Sequence, residues 1–147
     1  MAGIVCAIRG GPSSQPTIDR AIQLAKEDDL QIHFLYVVNL DFLAHTNKSR
    51  VQTLDKEMHQ MGEFILISAQ DRAMSRGIHA DGVVRKGVIA DEIIGLARDV
   101  EADYVILGSP QVETDANVFT RQRLEAFGQR ISDESGAEVV LVEDQAA

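Results

Sequence analysis

Apolar residues arrive along this chain in two rhythms, short unbroken runs and stripes at helical spacing, and the two alternate from end to end. Gly3 to Ile8 is a short apolar run that stops at Gly10-Gly11-Pro12, the pattern of a buried strand and its turn. Ser13-Ser14-Gln15-Pro16 then offers a helix N-cap, with proline tolerated in the first turn. Ile18, Ala21, Ile22, Leu24 and Ala25 share one face of a helix expected over residues 15–28. Leu30 to Val38, rich in Ile, Phe, Tyr and Val, predicts a mostly buried second strand. A loop over Leu40 to Asn47, containing Phe42 and Leu43, leads to Ser49 and Gln52, a capping-box signature. From Val51 through Leu54, Met58, Met61, Ile65, Leu66 and Ala69 a single stripe runs as far as Met74, with Gly77 as the stop. On this reading the methionines are core filler.

Ile78 to Arg85 is a more polar third strand, expected at a sheet edge. After Gly87, a third helix is predicted over Ile89 to Asp99, with Ile93, Ile94 and Ala97 inward. Tyr104 to Leu107 is a fourth strand ending at Gly108. A polar loop runs to about Asn117, and a helix carrying Leu124, Phe127 and Ile131 extends to about Ser135. Gly136 closes it, Val139 to Val142 forms a fifth strand, and Glu143 to Ala147 is a polar tail. Strand and helix in strict alternation imply an α/β fold, Rossmann-like, with a five-stranded parallel sheet covered by helices on both faces.

Composition adds limits rather than a new picture. At 147 residues, 45% of them hydrophobic and 25% charged, the chain fits one globular domain spanning 1–147. No apolar run approaches the ~20 residues of a membrane helix. The first residues lack the basic region and longer apolar segment of a signal peptide. The single cysteine, Cys6, excludes a disulfide framework, so the expected location is the cytoplasm. Residues 1–86 balance ten acids with ten bases, whereas residues 87–147 carry thirteen acids and four bases. The net charge of −9 therefore belongs to the second part of the chain, and it disfavours nucleic acid as a partner.

In an open parallel sheet a ligand sits beyond the carboxyl ends of the strands, where the connections reverse. Two such ends stand out, Ala7-Ile8-Arg9-Gly10-Gly11 and Leu107-Gly108-Ser109-Pro110, each followed by a helix whose amino-terminal N–H groups attract anions.

These segments carry a family resemblance. Ala7-Ile8-Arg9-Gly10-Gly11-Pro12-Ser13-Ser14 after the first strand, Arg85-Lys86-Gly87 with Ala90-Asp91-Glu92-Ile93-Ile94 after the third, Ala102 to Ser109 around the fourth and Val139 to Val142 at the end follow the order of the universal stress proteins. The chain as a whole resembles that family, which implies strand order 3-2-1-4-5 and a homodimer joined through the last strand, Val139, Val140, Leu141 and Val142. It also implies a nucleotide pocket, altered or remnant here, whose candidate residues are Arg9, Gly10, Gly11, Val38, Gly108, Ser109 and Arg121.

The family's ATP-binding members carry Gly-x-x-Gly, nine further residues, and Gly-Ser or Gly-Thr after strand four. Only Gly108 matches. Gln111 stands in the second position and Arg121-Gln122 in the last, or Glu125-Ala126 when counted back from the final strand, so the loop is about one helical turn longer. Arg9 replaces an acid that binding members place beside the base and ribose. Glycines let consecutive N–H groups converge on phosphate. Residues 109–116 hold none, and they carry Glu113 and Asp115, which repel a triphosphate. Arg9 could reach toward either acid and fill the pocket.

The expected function is a stress-related, non-catalytic binding or regulatory protein without ATP held in the family manner and with no required cofactor. The alternative is a nucleotide-binding member, of ATP or AMP type and at most slowly hydrolytic, using Arg9 and Arg121 on phosphate. A small-molecule sensor with an adenine-type ligand is the third class. His33, His45, His59 and His79 lie too far apart in pattern for a metal site, His33 reading as a hydrogen-bonded structural residue. Leu107-Gly108-Ser109-Pro110 is not a nucleophile elbow, Cys6 reads as a buried inert thiol, and no catalytic residue is assigned.

Overall fold

The apolar runs become the strands of a single parallel sheet. The computed structural model describes residues 3–40, 47–108 and 116–142, with the side chains of Ser13 and residues 116–121 left aside. Strands β1 (Gly3–Ala7), β2 (Gln31–Val38), β3 (Ala80–Lys86), β4 (Ala102–Gly108) and β5 (Glu138–Val142) alternate with helices α1 (Gln15–Asp28), α2 (Lys48–Met74), α3 (Ile89–Asp99) and α4 (Ala116–Ser135). The order across the sheet is β3-β2-β1-β4-β5, every pairing parallel, as the resemblance implies. The predicted loops over 41–46 and 109–115 and the polar tail lie outside the described residues.

Alternation along β1 divides the core in two. Ile4 and Cys6 face α1 and α2, where they meet Ile18, Ile22, Phe34 and Leu66; Val5 faces α3 and α4, meeting Ile93, Val105 and Ile131. Both faces of β1 are thus covered, which is why its residues are apolar without a polar alternate. The more polar β3 does take an edge, with Asp81, Gly82 and Lys86 exposed.

Two expected caps form differently. Asn47, not Ser49, is the N-cap of α2, its Oδ1 accepting from the Ser49 backbone N–H at 2.9 Å and from the Ser49 hydroxyl at 2.9 Å. Ser14 precedes α1 without capping it through its side chain, because a 3-10 turn over Pro12–Ser14 comes first and the hydroxyl bonds Gly10 instead. Gly77 and Gly136 do stop their helices, at φ 81° and 79°, where a side chain is strained.

The methionines are not uniformly core. Met58 packs partly against the core, but Met61 and Met74 are exposed, and Phe64, at 73% exposure, continues the same outer face. The buried face of α2 consists of Gly62, Leu66, Ala69 and Ala73, all in its second half. Small residues there bring the helix close to the sheet. At its far end α2 is tied to α1 by Arg72, whose Nε and Nη2 donate to the two oxygens of Asp19 at 2.7 and 2.9 Å. The hydrogen-bonded guanidinium holds the Asp19 carboxyl below its ordinary pKa.

Gly62 is the tightest point of that approach: a Cβ added there would lie 2.4 Å from Tyr36 Cδ1. Gly62→Ala gains about 1 kcal/mol of helix propensity against an overpacking cost of about 1–3 kcal/mol. With the ring edge well inside contact distance, the cost wins. Urea unfolding should show a net loss of about 1 kcal/mol or more, whereas equal or higher stability would mean the Tyr36 ring turns aside freely.

Candidate functional site

The order of the strands switches side between β1 and β4, which lie parallel and adjacent with Ala7 in register with Leu107 and with Leu35 of β2. Above their carboxyl ends is a cavity of about 480 Å³. Its floor is apolar: Ala7, Ile8, Leu35 and Leu107 come from the three central strands. Its walls are Met58 of α2, Ile89 and Ile93 of α3, and Leu124 and Phe127 of α4. Among the described lining Arg9, Asn39 and Tyr36 carry the polar side-chain groups, and Arg9 is the only charged residue.

Arg9 stands where β1 ends. The pairing runs one residue past the strand, Ile8 N–H donating to Leu35 O at 2.9 Å. Ile8 is buried, so the next side chain emerges into solvent beside the cavity. The arginine borders this space. The partners proposed for it, Glu113 and Asp115, lie outside the described residues.

The two glycines that follow turn away. Gly10 and Gly11 adopt φ 89° and 79°, and the loop closes on itself through Ser14. Ser14 Oγ accepts from the Gly10 N–H at 3.0 Å and its hydroxyl lies 3.2 Å from the Gly10 carbonyl oxygen. The Gly10 amide is therefore satisfied internally. Both glycines line a separate groove against α2, and a Cβ on Gly10 would meet Ile65 Cδ1 at 2.6 Å.

Of the sequence candidates, then, the structure brings Arg9 and Gly108 to the cavity and Gly10 and Gly11 to its neighbour. Val38 is fully buried on the α1–α2 side of the sheet, and it is Val37 and Asn39 that reach the cavity. Ser109 and the Arg121 side chain fall outside the description. Gly108 has a packing reason as well, since a Cβ there would stand 2.7 Å from Thr17 Oγ1. Sequence reasoning missed Met58 and Asn39 as lining groups. Asn39 carried a usable signal, being the first polar residue after a long apolar strand.

One helical turn from Met58, Asp55 holds Lys86 Nζ at 2.8 Å and lies 2.9 Å from His59 Nδ1. The hydrogen bond from Lys86 keeps the Asp55 carboxyl below its usual range. His33 lies on the half of β2 farther from the cavity, 3.6 Å from Asp81, and burial lowers its pKa despite that neighbour. No group of three or more His, Cys, Asp or Glu side chains among the described residues could hold a metal ion.

A family model described as "Universal stress protein family" matches residues 2–142. The chain belongs to the universal stress protein family. Universal stress protein YxiE of Bacillus subtilis strain 168 is 25% identical over 114 residues, covering 72% of this chain and 77% of that protein. A universal stress protein solved in complex with cAMP matches at TM-score 0.71 and 22% identity over 98% of each chain. An AMP-bound universal stress protein family protein from Arabidopsis thaliana matches at TM-score 0.61 and 14% identity, covering 99% of this chain and 94% of that one. At those identities the structural matches establish the fold. No helix among the described residues is long and apolar enough to cross a membrane.

In this universal stress protein Cys6 lies in the middle of β1, fully buried, its Sγ 3.9 Å from the Thr17 carbonyl oxygen. Desolvation pushes the thiol far above its ordinary pKa, so the reactive thiolate is suppressed. An aromatic disulfide reagent should leave the native protein unmodified and titrate one thiol after unfolding. Rapid reaction of the native protein would mean that β1 opens locally.

Proposed function

We propose that this family member is a non-catalytic binding protein, a homodimer joined through β5, whose cavity over β1 and β4 takes a small ligand but does not hold ATP in the glycine-loop manner. The observation that carries the reading is the cavity's lining. Among the described residues it is apolar on floor and most of the walls with one guanidinium at its edge, where a triphosphate calls for converging N–H groups and several cations. The glycine-free, acidic stretch after Gly108 argues in the same direction.

A second reading keeps a nucleotide with less phosphate, because two proteins of this fold were solved with AMP and cAMP. Calorimetric titration with ATP, ADP, AMP and cyclic AMP separates the two. The expected result is no micromolar binding of ATP; micromolar ATP affinity overturns the proposal, and AMP binding without ATP binding selects the second reading.

For the dimer, the support is the position of β5 at the sheet's outer edge, where an apolar strand leaves backbone groups for a partner strand. Val140 and Val142 pack toward the α1–α2 core, while Leu141 is 37% exposed. Leu141→Lys should thus spare the fold and weaken self-association by about tenfold or more, the scale of one misplaced charge at an interface. Sedimentation equilibrium measures it, and an unchanged dissociation constant counts against a β5 interface.

A further inference from the structure

Arg9 is exposed at the end of β1 and has no hydrogen-bond or ion-pair partner among the described residues, yet it borders a cavity whose described lining is otherwise mostly apolar, with Asn39 and Tyr36 the exceptions. Among the described residues nothing occupies its planar donors, and a carboxylate matches their fork with two parallel hydrogen bonds. A single cation suits a single negative charge. The described walls behind it, Ile89, Ile93, Leu124 and Phe127, offer nothing to a second anionic group and a large surface to an apolar body. The volume of about 480 Å³ is also informative. At about 30 Å³ for each water-sized group it admits roughly fifteen of them, the scale of a fused pair of rings or a medium-length acyl chain.

We infer that the cavity binds a small organic acid, with its aromatic or aliphatic body between α3, α4 and the sheet and its one carboxylate on Arg9. This deepens the proposed function and rests on its assignment of the cavity as the ligand site. Burial of the body supplies the affinity by removing apolar surface from water. Arg9 supplies the selection for an acid, because the corresponding neutral molecule gains nothing from the guanidinium. Arg9 thereby acts as a specificity residue.

The test uses the whole chain and three probes: anilinonaphthalene sulfonate, whose fluorescence reports an apolar site and which carries one anion; decanoate as a competitor; and uncharged N-phenylnaphthylamine. Anilinonaphthalene sulfonate should bind and be displaced by decanoate. Arg9→Gln, at an exposed position, should weaken both acids roughly tenfold, as expected for loss of a charge-assisted contact, and leave N-phenylnaphthylamine unchanged. Ile89→Trp, an exposed residue of the cavity wall, should weaken all three.

If the uncharged probe binds, Ile89→Trp weakens it and Arg9→Gln changes nothing, the cavity is a ligand site but the acid assignment falls. If no probe binds folded protein, the assignment of the cavity as a ligand site falls with it. Binding that ignores Ile89→Trp places the probes elsewhere, for instance on the exposed Phe64 face of α2, and overturns the inference.

Discussion

Strand β1 has no solvent face: Ile4, Val5 and Cys6 are fully buried, with parallel neighbours on both sides and helices above and below. Each backbone polar group in such a strand must find its partner in the sheet, since none is within reach of water. Here β2 and β4 meet that requirement as its flanks, with Ala7 level with Leu35 and Leu107. The cavity follows from it directly. With three strands ending together and the chain departing to opposite sides, the space above their carboxyl ends has a flat apolar floor and walls supplied by whichever helices arrive.

Much of this was legible in advance because the signals are local. The third helix falls on Ile89–Asp99 as its spacing predicts, and Gly77 and Gly136 end helices where they stand. The edge position of β3 could be read from Asp81 and Arg85 interrupting its apolar residues. At the start of α2 Ser49 and Asn47 both suit the cap in sequence, and only the helix's actual first turn decides for Asn47. Val38 shows a deeper limit. In a strand covered on both faces every residue is apolar, so alternation carries no information about which side a given position faces. The sequence marks Val38 as the end of β2, and only the folded sheet shows Val37 and Asn39 at the cavity with Val38 turned to the opposite core.

The same distinction separates the loop after β1 into two unlike parts. Family resemblance groups Arg9 with Gly10 and Gly11, but Ser14 closes the glycine turn against α2 and leaves Arg9 alone on the cavity side. A glycine pair followed by a helix is therefore weak grounds for a phosphate site. Its amides must also be unoccupied and aimed at the ligand, and here the Gly10 amide already has a partner.

The 27 residues of α2 are not held evenly. From Gly62 onward the helix is clamped by buried small residues, by Tyr36 and by the Asp19–Arg72 pair, whereas residues 48–61 contain no buried side chain. The cost of opening backbone hydrogen bonds rises along such a helix from its first turns to its last. Met58, one wall of the cavity, belongs to the loosely held portion, with the Asp55–Lys86 pair as a nearby tie to β3. On the proposed reading, a molecule filling the cavity would pack against Met58 and so couple occupancy of the site to the order of a surface helix. The helix would then carry news of a buried ligand to whatever meets the protein from outside.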